Sequence, residues 1–96
     1  MESYIVNVST DAEKDLKKIP KNLVVKLALW IKQVNNEGIT QVRKMKGYHD
    51  EPLKGDRKGQ RSIRLNKAYR AIYTEYDEGR IDLNYIEIDE VNKHEY

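Results

Sequence analysis

The stretch QRSIRLNKAYRAIYTEY, residues 60–76, limits how this chain can fold more than any other. It is rich in β-branched and aromatic residues and is broken once, by Asn66-Lys67-Ala68. That pattern predicts two strands, Gln60 to Leu65 and Tyr69 to Tyr76, folded back on each other by a short turn. Side chains alternate along a strand, so a hairpin centred on Lys67 sets residue 65 opposite 69, 64 opposite 70 and 63 opposite 71. Ile63, Leu65, Tyr69, Ala71 and Tyr73 then share one face, expected to be the helix-covered core. Ser62, Arg64, Arg70, Ile72 and Thr74 share the other, which places two guanidinium groups side by side.

The flanking segments supply what covers the apolar face. Tyr4 to Val8 is a short β-branched run suited to a strand. Ser9 or Thr10 then caps a helix over about Asp11 to Lys18, Thr10 and Glu13 having the spacing of a capping box. Leu16 and Ile19 should face inward, and Pro20 suits the start of the next helix. There Leu23, Leu27, Trp30, Ile31 and Val34 recur at three- and four-residue intervals up to Gly38, giving an amphipathic helix and, with the first, a helical hairpin. Residues 39–59 are irregular, punctuated by Gly47, Pro52, Gly55 and Gly59. Asp77-Glu78-Gly79 makes a turn before a last strand from Arg80 to about Ile88 and the terminal EVNKHEY. The order is β-α-α-β-β-β: an α+β domain over residues 1–96, with the helices packed on an antiparallel sheet. Trp30, Tyr4, Tyr69 and Tyr73 are expected in the core, and Tyr48 and Tyr96 at the surface.

Composition narrows the chemistry. Ninety-six residues allow one modest core, and the absence of cysteine removes disulfides, thiolate zinc sites and a cysteine nucleophile, in keeping with a reducing cytoplasm. The acidic N-terminus lacks the pattern of a signal peptide, and no run is long enough to span a membrane, so a soluble protein with no membrane partner is expected. The net charge of +2 hides an asymmetry: Arg43 to Arg64 carries +5 and the remainder −3. A concentrated basic stretch is the footprint of a protein that meets phosphate, and equally of a solvated lysine-rich loop.

Arginines directly opposite on neighbouring strands lie about 5 Å apart and repel unless an anion sits between them. A phosphate would remove the conflict; so would acids of the same sheet, for which Glu75, Asp82, Glu87, Asp89 and Glu90 are candidates. The tail adds His94, which can exchange protons near neutral pH, and Tyr96, whose phenol can donate or accept one. His49, in the basic loop, is a second choice as acid or base. Two histidines without cysteine, and no HExxH or EF-hand loop, argue against a metal. The loop glycines form neither GxGxxG after a strand nor a Walker sequence, so no nucleotide cofactor is expected.

Three segments, Asp50-Glu51-Pro52-Leu53-Lys54-Gly55-Asp56-Arg57-Lys58-Gly59-Gln60-Arg61-Ser62-Ile63-Arg64-Leu65-Asn66, Tyr69-Arg70-Ala71-Ile72-Tyr73 and Val91-Asn92-Lys93-His94-Glu95-Tyr96, resemble the HigB branch of the RelE/ParE superfamily of bacterial toxins. The deduced element order is also that family's, so the resemblance covers nearly the whole chain. It implies the toxin of a type II toxin-antitoxin pair that cuts messenger RNA in the ribosomal A site without a metal or other cofactor. In that reaction the 2′-hydroxyl attacks the adjacent phosphate and leaves a cyclic phosphate and a 5′-hydroxyl. By the same resemblance Arg70 is the active-site arginine and Arg64 a second basic residue on the phosphate. His94 and Tyr96 match the terminal proton-transfer residues, with acid and base unassigned because Glu95 intervenes. Lys54, Arg57, Lys58 and Arg61 would grip ribosomal and messenger backbone, with Lys93 and His49 in either group.

The partners implied are a cognate antitoxin, expected to be a HigA-like helix-turn-helix protein, the ribosome with its message, and operator DNA through the antitoxin only. Two rivals share the features above. The ParE branch has the same fold and poisons DNA gyrase without cleavage, and a simple nucleic-acid-binding module would hold phosphate with no chemistry in its tail.

Overall fold

The computed structural model describes residues 5–88. Five strands form one sheet in the order β1-β5-β4-β3-β2, where β1 is Ile5–Val8, β2 Glu51–Pro52, β3 Gln60–Arg64, β4 Tyr69–Glu75 and β5 Arg80–Ile88. Three helices accompany it, α1 (Thr10–Leu16), α2 (Lys21–Glu37) and α3 (Ile39–Arg43). The α+β layering is as expected. The sheet is mixed rather than purely antiparallel: β1 lies parallel to β5, because α1 and α2 carry the chain back over one face before the later strands are laid down.

Local chemistry sets the element ends. Ser9 rather than the Thr10–Glu13 pair caps α1: its Oγ accepts from the Ala12 backbone N–H at 3.0 Å and donates to the Asn84 carbonyl at 2.5 Å. Its own N–H bonds the Leu83 carbonyl at 3.0 Å, so Ser9 is the last extended residue of the parallel ladder and the helix begins one residue later. Pro20 stands at the N-cap of α2, and Gly38 ends that helix with a positive φ of 87° that suits glycine.

Leu23, Leu27, Trp30 and Val34, one stripe of α2, are buried against the sheet with Ile39 and Val42 of α3. From the sheet come Ile63, Leu65, Ala71, Tyr73, Ile81 and Leu83, the alternating positions of β3, β4 and β5 together with the residue after β3. Burying each large apolar side chain contributes on the order of 1.5–3 kcal/mol. Trp30 and Tyr73 lie at the centre, ring centroids 5.2 Å apart and tilted by 50°. Tyr48, expected at the surface, is buried: it packs beside Met45 and its hydroxyl donates to Gln33 Oε1 at 2.5 Å.

The hairpin closes on an Asx turn. Asn66 Oδ1 accepts from the backbone N–H groups of Ala68 and Tyr69, at 2.8 and 2.9 Å, and Leu65 N–H reaches the Tyr69 carbonyl at 2.9 Å. This turn fixes the pairing at Arg64 opposite Arg70, Ile63 opposite Ala71 and Ser62 opposite Ile72. On the other side of β4 the ladder slips: Ile72 pairs with Tyr85 but Tyr73 with Leu83, leaving Asn84 as an extra residue, a β-bulge.

Candidate functional site

Two rows of side chains cross the sheet on the face turned away from the α2 core. One runs Arg64, Arg70, Glu87; the other runs Ser62, Ile72, Tyr85. The bulge at Asn84 puts Tyr85 and Glu87 there. Strict alternation from the buried Ile81 and Leu83 would send residues 85 and 87 into the core, and one inserted residue reverses that parity. Asn84 itself is held at both ends, its amide donating to Thr74 Oγ1 at 2.7 Å and its carbonyl accepting from Ser9.

Arg57 reaches the same face from the single 3₁₀ turn Gly55–Arg57. Its Nη2 donates to the Glu87 carboxylate at 2.8 Å and to the Tyr85 hydroxyl at 2.6 Å, and its Nη1 to the second Glu87 oxygen at 3.4 Å. Its guanidinium carbon lies 5.6 Å from the centre of the Tyr85 ring. Tyr85 in turn donates to Gln60 Oε1 at 3.5 Å. The hydrogen bond to Glu87 raises the Arg57 pKa above the ordinary arginine value against the opposing effect of burial, with the Glu87 charge and Tyr85 adding to the rise. Arg70 Nη1 donates to the buried Ser62 hydroxyl at 3.0 Å, which fixes the direction of that guanidinium. Arg57 thus closes on the Glu87 carboxylate, Arg70 stands beside it on the neighbouring strand, and Arg64 lies one strand further along the row. Arg64 makes no ion pair among the described residues, and the Nε–H groups of Arg57 and Arg64 are buried with no acceptor there. Cation and donor capacity on this face exceed what its described carboxylates use.

The opposite face of the same hairpin handles its cations differently. Arg61, paired with Tyr73, points toward the helices and donates through Nε to Asp50 Oδ1 at 2.6 Å. The Asp50 side chain is only 1% exposed, and its other oxygen accepts the Tyr73 hydroxyl at 2.5 Å. Arg43 of α3 adds an Nε 3.9 Å from Asp50, a bond to the Tyr73 hydroxyl at 3.5 Å and an ion pair with Glu75. Burial, then the bond to Asp50 and its charge, hold the Tyr73 phenol well above the usual tyrosine range, so it stays protonated and cannot serve as a base. Burial lowers the Arg43 pKa, and the bonds to Glu75 and Tyr73 more than reverse this.

Of the residues singled out from sequence, Arg57, Arg64 and Arg70 come together on one face, and Arg61 lies on the other. Lys54 and Lys58 are exposed on either side of the Arg57 turn. His49 is exposed, with a left-handed φ of 46° and no side-chain hydrogen bond or ion pair among the described residues. Lys93, His94 and Tyr96 lie outside the described residues. Tyr85 and Gln60 were not singled out; nothing in a run of alternating residues marks a bulge, and without it Tyr85 reads as core.

No protein-family model matches the sequence, and no curated protein does. Solved structures do match. YafQ from Escherichia coli strain BL21(DE3) superposes with a TM-score of 0.73 at 20% identity, over 92% of this chain and 96% of that one. The RelBE2 toxin-antitoxin complex of Mycobacterium tuberculosis gives 0.63 at 20% identity, over 91% and 99%. The YoeB-YefM toxin-antitoxin complex of Staphylococcus aureus gives 0.67 at 23% identity, over 88% and 94%. The fold is that of the RelE, YafQ and YoeB toxins.

Proposed function

We propose that this chain is the toxin of a type II toxin-antitoxin pair, of the HigB kind within the RelE/ParE superfamily, and a ribosome-dependent messenger RNA endoribonuclease acting in the cytoplasm. The observation that carries this reading is the row of Arg64 and Arg70, directly opposed on β3 and β4, on a face with more donors than the described acids consume. Cleavage by 2′-hydroxyl attack needs positive charge on the pentacoordinate phosphate, and Arg70, oriented by Ser62, and Arg64 supply it. The 2′-hydroxyl proton leaves to a base as the 2′-oxygen bonds phosphorus, and the departing 5′-oxygen takes a proton from an acid. His94 and Tyr96 fill these two roles.

Lys54, Arg57 and Lys58 hold phosphates along the strand, and Lys93 and His49 are assigned the same role. Arg61 contributes least, because Asp50 already engages its charge. The partner is a HigA-like antitoxin, and operator DNA is reached only through it. Support for an antitoxin comes from the RelBE2 and YoeB-YefM structures, both toxin-antitoxin complexes.

Expression in cells with mapping of RNA ends tests the reading. New ends within translated messages are expected for the natural sequence and are lost with Arg70→Ala and with His94→Gln. Toxicity with no new RNA ends would overturn it and point to gyrase.

A further inference from the structure

We propose that Glu87 is an internal stand-in for phosphate, which holds Arg57 until a phosphate of the substrate displaces it. The inference rests on the anion-binding role given to the arginine face above and assigns a positioning role to Glu87 that the sequence pattern leaves open.

The geometry is specific. Glu87 stands directly opposite Arg70 and takes Arg57 through both of its oxygens, at 2.8 and 3.4 Å. A carboxylate bound by the two Nη atoms of one guanidinium presents the same pair of oxygens that a phosphate would. Glu87 is also accessible, its side chain 36% exposed beside an Arg57 side chain that is 38% exposed, so an incoming anion can reach the pair without unfolding anything. An ion pair exposed to this degree is weak in water, and exchanging its carboxylate for the singly charged phosphodiester of an RNA strand, which offers the same two oxygens, costs little. Tyr85 makes the exchange directional. Its hydroxyl accepts from the Arg57 Nη2 that also binds Glu87, and its ring lies under the guanidinium, so Arg57 keeps a second anchor while the carboxylate is replaced.

A purely structural brace between the 55–57 turn and β5 predicts the opposite response to mutation, which makes the proposal testable. Isothermal titration of the purified full chain with inorganic pyrophosphate at fixed ionic strength compares the natural sequence with Glu87→Gln, Arg57→Ala and the double variant. Glu87→Gln removes the competing charge and is expected to bind pyrophosphate about threefold more tightly, the scale of one exposed ion pair lost as a competitor. The gain should vanish in the double variant. Unchanged or weaker binding by Glu87→Gln, or a gain that survives without Arg57, overturns the proposal. Should Glu87→Gln fail to fold, Glu87→Ser carries the same test with the same expected direction, and weaker or unchanged binding again overturns it. Message cleavage is scored separately. Cleavage with no effect of Glu87 on affinity removes the exchange alone, and the affinity gain without cleavage keeps the exchange and removes the ribonuclease reading.

Discussion

The two faces of the β3–β4 hairpin carry arginines in nearly equal supply and dispose of them in opposite ways. Toward the helices, Arg43 and Arg61 close on a buried Asp50 with Glu75 and the Tyr73 hydroxyl, and both Asp50 oxygens are engaged inside the fold, although the Arg43 Nε–H finds no acceptor within hydrogen-bond reach among the described residues. On the far face Arg57 closes on an accessible Glu87 that stands beside Arg70, and the Nε–H groups of Arg57 and Arg64 have no acceptor among the described residues. A count of basic residues along residues 43–64 does not separate these situations. Which face each arginine takes does, because a carboxylate buried between cations holds the fold together, whereas the Glu87 pair stands where solvent reaches it.

Four experiments sharpen or break that contrast. Arg70→Ala should reduce message cleavage by about 100-fold or more while circular dichroism and urea midpoint stay close to the natural protein, the loss expected when a charge-stabilising group is removed; retained cleavage would show that the far face is not the reactive one. Asp50→Asn should behave in the reverse sense, lowering stability by about 3 kcal/mol in urea unfolding because it leaves two arginines without their interior carboxylate.

Arg57→Ala and Arg61→Ala form a matched pair. The first should weaken RNA binding several-fold and reduce the salt slope by about one, and the second should leave that slope almost unchanged while lowering the urea midpoint. Equal salt slopes for the two would erase the distinction between the faces.

The smallest effect concerns pH. The Tyr73 phenol is raised above its ordinary 10.0 by burial and by Asp50, so folding favours its neutral form. The stability this gives is complete below pH 10 and is lost as pH rises toward the higher folded value. Tyr73→Phe should therefore show a shallower loss of stability on the alkaline side, read as urea midpoints from pH 8 to 11.

Much of this was legible in the residues. Alternation with an Asn66 turn gave the register that opposes Arg64 to Arg70, and the three- and four-residue spacing of Leu23, Leu27, Trp30 and Val34 gave the buried stripe of α2. Both signals are local, and local periodicity survives folding when a single core is being covered. What stayed hidden depends on distant partners. The burial of Asp50 follows from Tyr73 and Arg61, which are separated from it by 23 and 11 residues. The parallel pairing of β1 is a matter of crossover, and the bulge at Asn84 changes which way Tyr85 and Glu87 point without changing composition. The arginine row was therefore readable, whereas its carboxylate could only be placed among five candidates.

The strand order has a consequence for biosynthesis. β5, the last of the five described strands in chain order, sits between β1 and β4, so an interior strand of the sheet is made after both of its neighbours. As the chain emerges from its own ribosome, β1 and the Ser9 cap have no neighbour to bond until residues 80–84 are out, and contacts that span some 75 residues close late. Until then Glu87 and Tyr85 cannot reach Arg57, and the nascent polypeptide carries its arginines without the sheet that later arranges them in a row.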